Sequence, residues 1–134
     1  MILKRVFVHG FTDEDSVWLQ KAVVKNNFGW TAENVLDRIA VGDAIFWRVQ
    51  GDASGCLITE EFLCPKGLCI LITWMAGDGL LRNFNEIKQE LILFAKGKGA
   101  FALMGEFSKK KFEKFYKSIG AGFNSTSYLH EIGD

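Results

Sequence analysis

Three sets of residues in this chain have the type and spacing to do chemistry. The first is Gly77-Asp78-Gly79, which ends an apolar run and precedes a helical pattern opening at Leu80. The first amides of a helix lack intrahelical partners and carry partial positive charge. Glycines ahead of them let a diphosphate come close. The same Asp-Gly dipeptide also makes a plain tight turn. The second set is Glu60 and Glu61, adjacent on a predicted strand and therefore on opposite faces. One of them facing a cleft could take a proton from an amine, directly or through water; solvated strand-end carboxylates are the alternative. The third set is aromatic. Trp18, Phe28, Trp30 and Trp47 crowd the first third of the chain. Trp47 reads as a packed strand residue, whereas Phe28 and Trp30 fall in a loop, where packing explains them less readily. Lys109-Lys110-Lys111 opens a helix, where cations oppose the dipole, so it marks either an anion partner or a solvated face. His9 and His130 are isolated and read as structural or surface groups.

The elements that must position these residues follow from periodicity. Ile2 to Val8 is β-branched and aromatic, a strand broken by Gly10. Thr12 can cap a helix whose first turn holds Asp13, Glu14 and Asp15, with Val17, Trp18, Ala22 and Val23 at helical spacing. Thr31 and Asn34 open a short second helix with Val35, Leu36 and Ile39 on one face, ended by Gly42. Ala44–Val49 and Cys56–Leu63 pair as a hairpin across a Gly51–Gly55 turn. Leu68–Met75 is apolar at nearly every position, so it is expected to be central and covered on both faces. Leu80–Lys96 then carries the stripe Leu80, Leu81, Phe84, Ile87, Leu91, Phe94 and Ala95 of an amphipathic helix. Ala100–Met104 is a short buried strand. Lys109–Ile119 is a last helix with Phe112, Phe115, Tyr116 and Ile119 inward, and Phe123–Ile132 is a final extended segment.

Composition narrows the class. The 134 residues are 49% apolar and 13% aromatic, which rules out intrinsic disorder. Sixteen basic residues balance 16 acidic ones, so no basic excess points to nucleic acid. No run approaches a membrane span. Cys56, Cys64 and Cys69 are odd in number and lack a CxxC or a His at ligand spacing. Reduced thiols in a cytoplasmic protein are expected, with no metal.

The order and lengths of these elements resemble the acetyl-CoA-dependent N-acetyltransferase (GNAT) family over nearly the whole chain. Two motifs carry the resemblance. Phe115-Tyr116-Lys117-Ser118-Ile119-Gly120-Ala121-Gly122-Phe123 is similar to the family's late helix-to-strand signature. Trp74-Met75-Ala76-Gly77-Asp78-Gly79 stands where the family has its pyrophosphate loop. Trp74 takes the place of the usual Gln or Arg, Asp78 adds a negative charge, and Lys109 replaces an Asn seven residues before the Tyr.

The resemblance implies a single α/β (α+β) domain spanning 1–134. Its sheet would be mixed and mostly antiparallel, with helices on both faces, in the order β-α-α-β-β-β-α-β-α-β. It implies acetyl-CoA in the splay between Leu68–Met75 and Ala100–Met104, with Trp74, Met75, Ala76, Gly77, Asp78, Gly79, Leu80 and Leu81 as cofactor-binding residues. Tyr116 would protonate the departing thiolate, since a phenol keeps its proton at neutral pH. Glu60 is the nominal base, and Phe28 and Trp30 lie on the acceptor side. An Ile119-Gly120-Ala121 followed by Phe123 is also similar to small bacteriophage proteins, internal virion proteins among them, that look like degenerate members of this fold. Three readings stay open, because fold does not settle function. One is transfer of an acetyl group to a small-molecule or protein amine. Another is a non-catalytic phage accessory or virion protein, acting as a homodimer or on a virion or host protein. The third is a sensor that binds CoA without turnover. No nucleic acid or membrane partner is expected, and the location would be cytoplasmic or virion-associated.

Overall fold

Two threonines start the early helices by one device, seen in the computed structural model, which describes residues 1–24, 29–106, 122–124 and 127–131. After strand β1 (Leu3–Val6) and a 3-10 turn at Val8–Gly10 comes α1 (Asp13–Val23). The Thr12 hydroxyl accepts the Asp15 N–H at 3.2 Å, and the Asp15 carboxylate accepts the Thr12 N–H at 2.9 Å. Helix α2 (Ala32–Ala40) opens the same way, with Thr31 and Asn34 exchanging bonds of 3.0 and 3.1 Å. Each capping box answers two amides that would otherwise be orphaned.

Strands β2 (Ala44–Val49), β3 (Ser54–Cys64) and β4 (Gly67–Asp78) form an antiparallel meander with β1. Helix α3 (Phe84–Gly97) then leads to β5 (Ala102–Glu106), which pairs parallel with β4. A parallel neighbour demands such a crossover. Strands β6 (Gly122–Asn124) and β7 (Ser127–Glu131) complete a seven-stranded sheet in the order β1-β2-β3-β4-β5-β7-β6, with β4 in the middle.

The pleat sorts side chains into two cores. Ile45, Trp47, Leu57, Ile70, Ile72 and Leu103 face α3, whose Phe84, Ile87, Leu91 and Ala95 recur at helical spacing and are at most 1% exposed. Ala44, Phe46, Cys56 and Ile58 face the other way, against Leu19 and Val23 of α1 and Val35 and Ile39 of α2. Helices thus cover both faces. Burying one side chain such as Leu91 contributes about 1.5–3 kcal/mol. On the α3 side, the Glu90 carboxylate accepts the Ile2 and Leu3 amides at 2.9 and 3.0 Å.

Several expectations need correction. The inner face of α1 is Asp15, Leu19 and Val23, while Val17 is exposed. The hydrophobic pattern missed this because Asp15 is buried against an arginine, described below. The extended segment at the C-terminal end is two strands, β6 and β7, which pair antiparallel. Helix α3 begins at Phe84 and not at Leu80. Strand β4 runs on through Gly77 and Asp78, so these are strand residues and not a loop. The expected helix Lys109–Ile119, including Phe112, Phe115 and Tyr116, lies outside the described residues, as does Phe28.

Candidate cofactor cleft and acceptor rim

Strand β4 carries one extra residue relative to β3. Ile58 of β3 pairs with Trp74, yet its neighbour Thr59 pairs with Ile72, so Thr73 is a bulge. Its hydroxyl donates to the Ile58 carbonyl at 3.2 Å. Bulges bend a strand and add twist. The parallel pairing of β4 and β5 ends at the same level, at Ile72 and Gly105. Beyond it, Thr73–Asp78 is paired to β3 alone among the described residues. Among the described residues, the backbone N–H and C=O groups on that side of Thr73–Asp78 therefore have no strand partner, at the carboxyl ends of two parallel strands. Ligands of open α/β sheets enter at such places.

The turn that follows supplies donors. The Gly79 carbonyl accepts both the Asn83 N–H at 3.2 Å and the Asn83 Nδ2 at 2.8 Å, closing one helical turn ahead of α3. Among the described residues, the N–H groups of Gly79, Leu80, Leu81 and Arg82 have no acceptor. Gly79 holds φ at +75°, the left-handed region where a side chain is strained. A Cβ there would also sit 2.9 Å from Arg82 Nη2. The Arg82 guanidinium thus returns beside the turn, 3.5 Å from the Asp52 carbonyl.

The remaining residues expected here divide by face. Gly77 is pressed against Gly55 of β3, where a Cβ would stand 2.3 Å from the Ser54 carbonyl. Strand pairing therefore accounts for that glycine. Met75 packs with the α3 core and Trp74 with the α1–α2 core. Asp78 is exposed, and alternation sets it on the face of Trp74 and Ala76, opposite α3. Leu80 is buried.

Glu60 and Glu61 do point to opposite sides. Glu61 Oε1 lies 3.6 Å from Lys98 at the end of α3. Glu60, opposite Leu71 and next to the bulged register, faces α2. Arg38 of α2 donates Nε to Glu60 Oε1 at 2.8 Å and also donates Nη2 to the same oxygen. The Arg38 guanidinium stands 5.9 Å from the ring centre of Trp30, which is 40% exposed. Trp30, Arg38 and Glu60 form one rim. Sequence reasoning missed Arg38, because its partner is 22 residues away. Trp47 donates Nε1 to the Thr59 hydroxyl at 2.8 Å and is structural.

Deeper on the same face, Arg48 grips the buried Asp15 with Nε at 2.9 Å and Nη2 at 2.5 Å. Burial pushes the Asp15 carboxyl up, but Arg48 and Thr12 together hold it below its ordinary value. A cavity of about 180 Å³ opens elsewhere, beside β1 and the end of α2 (Arg5, Phe7, Val41, Phe46), and includes none of the candidate residues.

Among solved structures, the chain superposes on a probable acetyltransferase with TM-score 0.69, over 92% of this chain and 91% of that one, at 10% identity. The chain has the GNAT fold. A putative GNAT-family acetyltransferase from Desulfovibrio desulfuricans matches with TM-score 0.62 over 98% of each chain, at 13% identity. AtaTR bound with AcCoA matches with TM-score 0.54 over 97% of this chain and 93% of that one, at 14% identity. No protein-family model matches the sequence, and no curated protein does. A thioester cofactor such as the AcCoA bound to AtaTR presents amides and a diphosphate. The one-sided strand edge at Thr73–Asp78 offers backbone partners for amides, and four unpaired N–H groups at Gly79–Arg82 suit a diphosphate. The residues fit. Among the described residues, no three His, Cys, Asp or Glu side chains cluster as metal ligands, and no helix is long and apolar enough to cross a membrane.

Proposed function

We propose that this protein is an acyl-CoA-dependent N-acyltransferase that delivers an acetyl group to an amine. The observation that supports the reading is the strand edge Thr73–Asp78, unpaired beyond β5 among the described residues, together with the Gly79–Arg82 amides that have no acceptor among them. Acetyl-CoA bound there would bring an activated thioester, and the protein would contribute orientation and proton handling. The Gly79–Arg82 amides and the Arg82 guanidinium would hold the diphosphate. The edge of β4 would align the amide-bearing arm. On the opposite face, Trp30, Arg38 and Glu60 would receive the acceptor. Arg38 fixes one oxygen of Glu60 and leaves the other free to accept a proton from the amine, directly or through water. Tyr116 would keep a proton at its phenol oxygen for the departing thiolate, the role the family resemblance gives it.

The test is a thermal-shift series with acetyl-CoA, followed by detection of free thiol over a panel of amines. Cofactor at 100 times its Kd should add about 2.7 kcal/mol of stability. Gly79→Val should abolish the shift, because it forces a branched side chain into left-handed backbone against Arg82. No shift at millimolar acetyl-CoA would refute the proposal. A shift without transfer to any amine, unchanged by Tyr116→Phe, would establish a sensor instead.

A further inference from the structure

Three polar or charged side chains are buried among the described residues: Asp15, Thr59 and Lys88. Asp15 is answered by Arg48, and Thr59 by the Trp47 N–H. Lys88 is 4% exposed and has no hydrogen bond or ion pair among the described residues. An ammonium without a partner in such a place is strongly unfavourable, and burial alone lowers its pKa. Surface lysines do not behave this way.

Its position in the fold gives the reason. Glu90 and Phe94 mark the flank of α3 that touches β1 and β2, through the Ile2 and Leu3 amides and the Trp47 ring. At 3.6 residues per turn, Lys88 is rotated about 160° from Glu90. It therefore occupies the opposite flank, toward β5, against which α3 packs. That is the side of the β4–β5 pair, whose pairing among the described residues ends at Ile72 and Gly105. Lys88 lies one turn inside the helix, about 6 Å along the axis from Phe84. In a helix the Cα–Cβ bond tilts toward the N-terminus, which for Lys88 is the direction of the Gly79–Asn83 turn.

We propose that Lys88 supplies the buried positive charge for a diphosphate seated on the Gly79–Arg82 amides, the charge that Trp74 does not carry. The inference rests on the cofactor reading above and names a residue that reading lacked. The ligand's anionic oxygens would give the ammonium the partner it lacks among the described residues. Amides alone orient an anion; a desolvated cation beside them selects for its charge.

Titration calorimetry of the full chain with acetyl-CoA, inorganic pyrophosphate and S-acetylpantetheine tests this. Lys88→Met keeps the length and removes the charge; Lys88→Arg keeps the charge. Lys88→Met is expected to weaken acetyl-CoA and pyrophosphate about tenfold or more. It should leave acetylpantetheine, which lacks the diphosphate, unchanged. It should also raise the unliganded melting temperature, since a buried unpaired charge is gone. Lys88→Arg should bind acetyl-CoA within about threefold of the wild type. Undiminished acetyl-CoA binding by Lys88→Met would overturn the role of Lys88 and leave the transferase reading standing. An equal loss for acetyl-CoA and acetylpantetheine would show a merely structural lysine. Wild-type protein that binds pyrophosphate through Lys88 but not acetyl-CoA would keep the anion site and refute the transferase. Binding of neither would refute both.

Discussion

The two faces of the sheet are held by different chemistry. Against α3 the contact is mainly apolar, built from Phe84, Ile87, Leu91 and the strand residues beneath them, with Glu90 on the Ile2 and Leu3 amides and Glu61 near Lys98 at its borders, and Lys88 has no partner among the described residues. Against α1 and α2 the apolar contact is fastened by two arginine–carboxylate pairs, Arg48–Asp15 and Arg38–Glu60. One pair is deep and the other lies at the rim. The difference teaches that charge on this molecule does three jobs. Paired and buried, it fixes a helix to the sheet. Paired and half-exposed, it ties α2 to β3. Buried with no partner among the described residues, it is the charge we assign to a ligand.

Substitutions can break the comparison, starting from the largest effect. Phe84→Ala removes a fully buried ring from the apolar face and should cost ~3–5 kcal/mol in denaturant unfolding. A loss under about 1 kcal/mol would mean that α3 is not anchored there. Arg48→Met leaves the buried Asp15 carboxylate with the Thr12 hydrogen bonds but no counter-charge, at a cost of about 3 kcal/mol. Asp15→Leu with Arg48→Met should recover much of that loss; if it does not, the pair is more than a fastening.

The same pair has a pH signature. The folded Asp15 carboxyl lies below 3.8, its ordinary value. Its contribution is therefore complete above about 4 and fades as pH falls through the folded pKa. Wild type should lose more stability below pH of about 4 than the double variant does. Equal acid sensitivity would contradict the assignment.

At the rim the expected effects shrink. Glu60→Gln should change stability by less than about 1 kcal/mol, since its arginine is well exposed. It should nonetheless slow transfer to the acceptor. A large destabilisation would move Glu60 into the class of Asp15. Asp78→Asn should be smallest of all, within about 0.5 kcal/mol in stability. Acetyl-CoA affinity should be unchanged or improved, because deleting a like charge cannot weaken an anion's attraction. Weaker binding would mean that Asp78 reaches the ligand through a donor.

Much of the frame could be read from local pattern. Both helix starts were legible, Thr12 as a cap and Thr31 with Asn34 as an opening, although Asp15 read only as a first-turn charge and not as the other half of a box. The alternation across Glu60 and Glu61 also held, because a strand's period of two is geometric. The start of α3 was not legible. Leu80 and Leu81 continue the apolar stripe into a turn, and Asn83 makes no side-chain cap bond. The bulge falls on Thr73, the single polar residue of Leu68–Met75, but the register that makes it a bulge is a matter of pairing partners distant in sequence. Arg38 was invisible for the same reason. Lys88 did leave a trace: it interrupts the stripe between Phe84 and Ile92, one turn from each.

Glu90 closes a loop of 88 residues when it takes the amide of Ile2. Joining chain segments that far apart costs on the order of 4 kcal/mol in loop entropy, so this contact belongs late on the folding route. Removing it with Glu90→Ala should therefore speed unfolding while leaving the folding rate almost untouched. The first strand would then fray ahead of global unfolding, and the exchange of its amides with deuterium would separate from that of β2. A single carboxylate thus decides whether the outermost strand melts with the domain or before it.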